Sequence, residues 1–126
     1  MRIPIPDFDK VETGYEALPA DTYEALVTKC MPGRSKIKGT AQIEWEFTIQ
    51  GPTHSGRIVF ENSFLSEKAL FTTKVLVVGC GVPFDNTGFN TEDCLGKRVK
   101  LTLGQAMNDV TGKIDNTIGK IVPFVG

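Results

Sequence analysis

The sequence is 126 residues long, which is enough for one domain with a single hydrophobic core. Apolar residues make up 40% and charged residues 23%, a globular composition that excludes a disordered or fibrous chain. With 14 Lys and Arg against 15 Asp and Glu, the formal net charge is −1. Binding of a polyanion would therefore depend on a local cluster of cations.

The sequence contains no signal of a membrane-bound, secreted or metal-binding protein. The longest nearly apolar run, residues 75–82, is far shorter than the roughly 20 residues of a membrane-spanning helix. The N-terminal residues include two early prolines and no apolar core of a signal peptide. Cys30, Cys80 and Cys94 are odd in number and widely spaced, which is typical of reduced thiols. We therefore expect a cytoplasmic protein without a metal or another cofactor.

The first part of the chain predicts an irregular segment and one strand. Residues 1–20 hold three prolines, which prevent regular pairing, and they precede a single domain predicted for residues 21–126. Residues 22–30 are rich in β-formers and predict the first strand, which should stop at the Pro-Gly pair that follows. The polar loop of residues 34–40 carries three basic residues in five positions.

The clearest pattern in the sequence is a β-hairpin. Apolar and polar residues alternate without error over residues 42–50, the period of a half-buried strand. Its expected buried face consists of Ile43, Trp45, Phe47 and Ile49. A turn at residues 51–56 leads directly into a third strand at residues 57–64. In this strand we expect Ile58 and Phe60 to face inward.

One helix is predicted after the hairpin, over residues 66–79. Ser66 is a suitable N-cap, and Gly79 or Gly81 is expected to end the helix. The apolar residues of its expected buried face recur at i, i+4 and i+7: Phe71, Val75 and Val78.

Two further strands are predicted at residues 97–103 and 118–125, with a polar, turn-like segment at residues 107–116 between them. Three strands, one helix and two strands form the connectivity of an OB-fold, a mainly β, five-stranded Greek-key barrel with one helix between strands 3 and 4. A generic α+β arrangement is the alternative.

Eight short motifs follow one another along most of the chain: PDFD (6–9), YEALPADTY (15–23), IEWEFTI (43–49), GR (56–57), FEN (60–62), LSEKALF (65–71), VGCGV (78–82) and GKRV (96–99). This ordered set resembles the small OB-fold single-stranded-DNA-binding proteins of bacteriophages and prophages, many first described only as a domain of unknown function. The resemblance implies a protein that coats unpaired DNA without sequence preference during replication or recombination, in the cytoplasm of a bacterial host. Replication or recombination proteins would be its further partners.

Two features of the sequence differ from that group. Asp21 stands where we expect a glycine. The sequence ends Pro-Phe-Val-Gly, whereas many phage proteins of this function end in an acidic tail that recruits partners. We therefore do not expect recruitment through such a tail.

Single-strand binding of this kind requires cations that neutralise phosphates. In an OB-fold the binding surface is the face of strands 2 and 3 with the loops that flank it. The candidate cations lie around the loop after the first strand, at the start of the third strand and along the fourth: Lys29, Arg34, Lys36, Lys38, Arg57, Arg98 and Lys100. Each position also suits an ordinary solvated side chain.

Binding also requires exposed aromatic rings that stack on bases. The candidates are Tyr15, Tyr23, Trp45 and Phe60. The two tyrosines suit partial exposure because their rings are amphipathic. Trp45 and Phe60 lie on apolar strand faces, where a place in the core is favoured and stacking is the alternative. Phe84 and Phe89 occupy a Gly/Asn-rich loop, either exposed or holding that loop against the barrel.

Carboxylates on the same strands oppose this interpretation. Glu44 and Glu46 are expected to face outward from the second strand and Glu61 from the third, where they would repel phosphates. A β-bulge that exposes Trp45 would relieve the conflict, as would DNA that runs along the basic loops.

No enzyme is predicted, because the one histidine, His54, lies in a turn and no titratable pair is complemented by a third group. The alternative function is an OB-fold protein-interaction module without nucleic-acid affinity, which the near-zero net charge and the acidic second strand would suit. The sequence leaves the oligomeric state open, a dimer included.

Overall fold

Five antiparallel strands and one α-helix account for most of the computed structural model, which describes residues 1–10, 16–36 and 39–124. The strands are β1 (Asp21–Arg34), β2 (Ala41–Gly51), β3 (Ile58–Phe64), β4 (Arg98–Met107) and β5 (Ile114–Pro123), and the helix α1 (Leu70–Gly79) lies between β3 and β4. Short 3₁₀ turns occur at Phe8–Lys10, Glu67–Ala69 and Thr91–Cys94. The predicted sequence of strands and helix is confirmed. Among the described residues, no helix has both the length and the apolar character needed to cross a bilayer.

The strands form one sheet in the order β3-β2-β1-β4-β5. The long strand β1 lies at its centre, where Asp21–Leu26 pair with β4 and Glu24–Arg34 pair with β2. The β1–β2 register shifts twice, between Glu24 and Ala25 and between Val27 and Lys29, and such bulges bend and twist a strand. In the part of the chain that the structure describes, β3 and β5 remain edges, so the sheet is open rather than a closed barrel.

Four strands are longer than predicted, because pairing continues through residues of low β-propensity. β2 gains one residue at each end, Ala41 and Gly51. β1 continues through Pro32 and Gly33, which pair with β2 but not with β4. Because no strand pairs with this part of β1 on its other side, the missing N–H of Pro32 costs no hydrogen bond there. β4 and β5 extend into the polar segment that the sequence marks as a turn, with Met107 paired to Ile114.

The core lies on one face of this sheet and under α1. The predicted buried face of β2 is confirmed, and its Trp45 and Phe47 rings stack with centroids 5.9 Å apart. Across the sheet this face continues through fully buried side chains of β1 and β4: Tyr23, Ala25, Val27, Val99, Leu101 and Leu103. We call this the inner face and the opposite side of the sheet the outer face.

The side chains of β3 face the opposite way from the prediction. Val59 and Ser63 are buried, whereas Ile58 is exposed and Phe60 is 68% exposed. The turn sets this register, because Ile49 N–H donates to the Arg57 carbonyl at 2.8 Å and so aligns odd-numbered β3 residues with the buried face of β2. A shift of one residue in a strand exchanges its two faces, and the expectation that Phe60 faces inward is wrong.

The buried side of α1 also differs from the prediction. Its buried residues are Thr73, Leu76, Val77 and Gly79, whereas the expected stripe of Phe71, Val75 and Val78 is exposed. Gly79 explains why this side of the helix is buried. A Cβ there would lie 2.5 Å from Cγ2 of Ile121, so only glycine lets this side of the helix approach β5 so closely. Gly79 ends the helix as predicted.

The predicted N-cap is placed differently. Ser66 precedes the 3₁₀ turn Glu67–Ala69 rather than α1, and its side chain makes no capping hydrogen bond.

Candidate functional site

The outer face carries two exposed phenylalanines on β3. Phe60 is 68% exposed and Phe64 is 40% exposed, and both point away from the core on the same side of the strand. Four residues of strand separate them by roughly 13 Å. Ile58 is exposed on the same side. Sequence reasoning missed Phe64, although its spacing of four from Phe60 on an alternating strand would have indicated a shared face.

Three of the predicted cations lie on this outer face. Strand pairing places Lys29 opposite Glu46, Arg98 opposite Leu26 and Lys100 opposite Glu24, all on the side away from the core. Lys29 is half-buried, whereas Arg98 and Lys100 are exposed. The pairing therefore places these cations on the face that bears Phe60.

Phe124 supports the two cations of β4 and was not anticipated from the sequence. The Arg98 guanidinium lies 4.3 Å from the centroid of the Phe124 ring, and Lys100 Nζ lies 5.6 Å from it. The ring lies within cation–π distance of both charges and so favours their place beside it.

The outer face also carries carboxylates: Glu24 lies on it opposite Lys100, in addition to the expected Glu44 and Glu46. Glu44 and Glu46 face outward, but Lys29 Nζ lies 3.2 Å from Glu44 Oε1 and compensates that charge. Glu61 lies on the inner side opposite Trp45, so its expected outward position is wrong. Burial raises the pKa of Glu61, while a backbone hydrogen bond from Asn62 opposes the shift.

The basic loop after β1 borders the outer face at its Phe64 end. A cleft of about 760 Å³ opens there, lined by Arg34, Ser35, Lys36, Thr40, Gln42, Glu44, Asn62, Phe64 and Ser66. Arg34 and Lys36 are exposed, and Arg34 Nη1 donates to the Gly39 carbonyl at 3.0 Å, which braces the loop. Lys38 lies outside the described residues. The cleft thus combines two cations with an aromatic ring.

Two of the predicted stacking residues are buried and cannot reach a base. Tyr23 is 2% exposed and its hydroxyl donates to the Pro19 carbonyl at 2.7 Å. Trp45 is 1% exposed and its Nε1 donates to Ser63 Oγ at 2.9 Å. In both cases the ring fills the core while its polar atom finds a partner inside it. This corrects the expectation for Tyr23, whereas for Trp45 the core position that the sequence favoured is confirmed. Tyr15 lies outside the described residues.

The remaining predicted residues lie elsewhere. Arg57 is half-buried directly before β3, and its guanidinium donates to the Glu16 carbonyl, so it braces the segment before β1. Phe84 is half-exposed beneath Lys74 Nζ, which lies 5.2 Å from its ring centroid. Phe89 packs against the core and holds the loop after α1 in place.

The three cysteines, distant in sequence, meet in the interior. Cys30 on β1, Cys80 after α1 and Cys94 before β4 are all free and buried. Hydrogen bonds to Cys94, followed by burial, raise the pKa of the Cys30 and Cys80 thiols. Residue spacing alone gave no sign of this convergence. Among the described residues, no group of His, Cys, Asp or Glu is arranged to hold a metal ion.

Comparison with protein-family models places the chain in a family. Residues 6–118 match a family model described as "Protein of unknown function (DUF669)". The matched range includes β1 to β4 and the start of β5, and therefore the strands that carry Phe60, Phe64, Arg98 and Lys100. No curated protein matches the chain.

Proposed function

Because the chain belongs to the DUF669 family, whose description assigns no activity, we propose its function from the geometry of the outer face. The protein binds single-stranded DNA without sequence preference and coats unpaired strands during replication or recombination. It acts as a binding protein rather than an enzyme. The observation that carries the proposal is the exposed pair Phe60 and Phe64 on a sheet face that also bears cations.

The proposal includes an OB-fold. The strand order β3-β2-β1-β4-β5 with a helix between β3 and β4 is compatible with that barrel, and closure would require pairing between β3 and β5. In OB-folds the face of strands 2 and 3, with the loop between strands 1 and 2, binds oligonucleotides. Here that face holds Phe60 and Phe64, that loop holds Lys36, and Arg34 ends β1 beside it.

The chemistry of the outer face fits a flexible polyanion. Bases stack on exposed rings whatever their identity, since every base has a π-face, and each stack contributes roughly 1–3 kcal/mol. Phosphates would contact Arg98 and Lys100 on β4 and Arg34 and Lys36 at the other end of the face. A net charge of −1 is compatible with this binding, because Lys29, Arg34, Lys36, Arg98 and Lys100 outnumber Glu24, Glu44 and Glu46 on this face and its bordering loop.

The test is fluorescence anisotropy of an end-labelled oligo(dT), short enough to hold one protein molecule, titrated with wild type and Phe60→Ala. Loss of one stacking ring should weaken binding roughly 5- to 150-fold. Leu95→Ala is the matched control, because Leu95 is also exposed and apolar but precedes β4 and lies off the outer face. Trp45 is buried and is therefore a poor reporter of binding.

A wild type without saturable, salt-sensitive binding would rule out the proposed function. Equal affinities of Phe60→Ala and Leu95→Ala would remove the outer face as the site even if DNA binds. The OB-fold protein-interaction module then becomes the better candidate. Its supporting observation is the exposed apolar side of α1, formed by Phe71, Val75 and Val78.

A further inference from the structure

An apolar groove runs between α1 and the loop that follows it. Its volume is about 890 Å³, within the range of clefts that bind ligands. The walls carry three aromatic rings, Phe71, Phe84 and Phe89, and the aliphatic side chains of Leu65, Leu70 and Val77. None of the outer-face cations described above lines it.

The groove is exposed to an unusual degree. Phe71 is 78% exposed, and Leu70, Phe84 and Val78 are each about half exposed nearby on the same helix and loop. A globular chain rarely presents a contiguous apolar surface of this kind unless a partner covers it. Gly79 lets α1 pack closely on β5 with Leu76 and Val77 buried, and Phe71 on the other side of the helix is therefore exposed.

The same chain carries an exposed apolar segment of matching chemistry, residues 1–8, which we call the arm. Ile3 is 68% and Phe8 is 64% exposed, and Ile5 is also exposed. Pro4 and Pro6 hold the residues before them in extended conformations, so the arm is largely pre-organised and loses little conformational freedom on binding. The last residues of the arm form a turn, in which Phe8 N–H donates to the Ile5 carbonyl at 3.4 Å and Asp7 has a φ of 55°.

We propose that the arm of one copy of this protein docks in the groove of a second copy. Proline-containing extended peptides are recognised by grooves lined with aromatic rings, which pack between the prolines and the side chains beside them. The arm offers Ile3 and Ile5 beside its two prolines, and the groove offers three phenylalanines.

Charge complementarity favours the same pairing. The polar residues on the groove wall include Lys74 and Asp85, and the arm carries Asp7 and Arg2. Each charge on the groove therefore has an opposite charge in the arm. An oligonucleotide would meet one cation among apolar groups here, whereas the arm supplies apolar side chains as well.

The contact joins two different surfaces of the chain. Such a contact either closes into a ring or a reciprocal pair, or continues from copy to copy. The inference does not rest on DNA binding, because neither surface belongs to the outer face. If the proposed function also holds, neighbouring molecules on one strand would touch through arm and groove.

The test is the mass of the full-length protein in solution, measured by sedimentation equilibrium over a range of concentrations. Wild type should associate. The double variant Ile3→Asp/Ile5→Asp should weaken association roughly tenfold or more for each isoleucine side chain that no longer packs in the groove. Phe71→Asp should have a similar effect from the groove side. Val110→Asp is the matched control, because Val110 is 92% exposed in the β4–β5 turn, and it should associate like wild type.

Mixing the two defective variants is the decisive measurement. The arm variant keeps an intact groove and the groove variant keeps an intact arm, so the mixture should form a heterodimer at concentrations where each variant alone is largely monomeric. All substituted residues are exposed, and thermal unfolding should show each variant folded.

Three results would overturn the proposal. A wild type that stays monomeric at its solubility limit would show that the arm does not bind a second copy. Loss of association in Phe71→Asp but not in the arm variant would indicate helices pairing with each other. Mixed variants that remain monomeric would exclude an arm–groove contact. None of these results depends on whether DNA binds.

Discussion

The indole Nε1 of Trp45 donates a hydrogen bond of 2.9 Å to Oγ of Ser63, and both side chains are fully buried. Since Ser63 must face inward to accept this bond, the even-numbered residues of β3 must face outward. The bond that holds Trp45 in the core is therefore linked to the exposure of Phe60 and Phe64.

Replacing Ser63 with Ala should destabilise the fold by about 1–3 kcal/mol, because the indole N–H would remain buried without an acceptor. The measurement is the free energy of unfolding in urea. Ser66→Ala is the matched control, since Ser66 is exposed and its side chain makes no capping hydrogen bond. Equal stability of the two variants would show that the Trp45–Ser63 bond contributes nothing.

The contribution of the cations should appear in the salt dependence of DNA binding. Removing one cation that neutralises a phosphate of a single strand lowers the slope of log K against log salt by about 0.7. We expect Arg98→Ala/Lys100→Ala to lower it by about twice that amount and to weaken binding to all base compositions equally.

Two further variants complete this measurement. Lys36→Ala, in the basic loop, should lower the slope by the amount expected for one phosphate, whereas Lys68→Ala, beside α1 and off the outer face, should leave it unchanged. Slopes identical to wild type in both Arg98→Ala/Lys100→Ala and Lys36→Ala would mean that these cations are only solvated surface.

The sequence predicted the strands better than it predicted their faces. In β2 the apolar residues from Ile43 to Ile49 all lie at odd-numbered positions, so the sequence indicated correctly which side of the strand is buried. In β3 the large side chains of Ile58 and Phe60 indicated the wrong face, because register there depends on the turn and on a serine that pairs with Trp45. Hydrophobicity alone cannot report that constraint.

The candidate site shows the same limit. Arg98 and Lys100 could be placed on one side of a strand from their spacing, and the structure agrees. Phe124 beside them and the meeting of Cys30 with Cys94 depend on contacts between distant parts of the chain, which local pattern does not encode. Tyr23 was misassigned because a ring with a polar atom suits exposure and a satisfied interior equally well.

Glu61 should make stability depend on pH in the acid range. Burial raises the pKa of its carboxyl in the folded protein above the unfolded value, so the folded state binds the proton more tightly. The free energy of unfolding contributed by this group is therefore highest below the unfolded pKa and falls as pH rises through the folded pKa. Glu61→Gln removes the charge and should be more stable than wild type at neutral pH.

The difference between Glu61→Gln and wild type should shrink as both are acidified, when wild-type Glu61 is neutral. Urea unfolding across the acid range measures it, with Glu46→Gln, the same substitution on the outer face, unfolded in parallel as the comparison. A Glu61→Gln variant less stable than wild type at neutral pH would contradict the assignment.

Gly79 should tolerate no side chain, because it brings α1 against β5. A Cβ there would lie 2.5 Å from Cγ2 and 2.9 Å from the backbone oxygen of Ile121, and a backbone atom cannot move aside by a change of rotamer. Gly79→Ala should therefore destabilise the protein by roughly 1–3 kcal/mol, the usual cost of overpacking. Gly119→Ala is the matched control, because its Cβ would meet only an ordinary contact of 3.6 Å with the Thr102 oxygen. Equal unfolding free energies of the two variants would show that α1 is not held by this close approach, and the outward position of Phe71 would then need another cause.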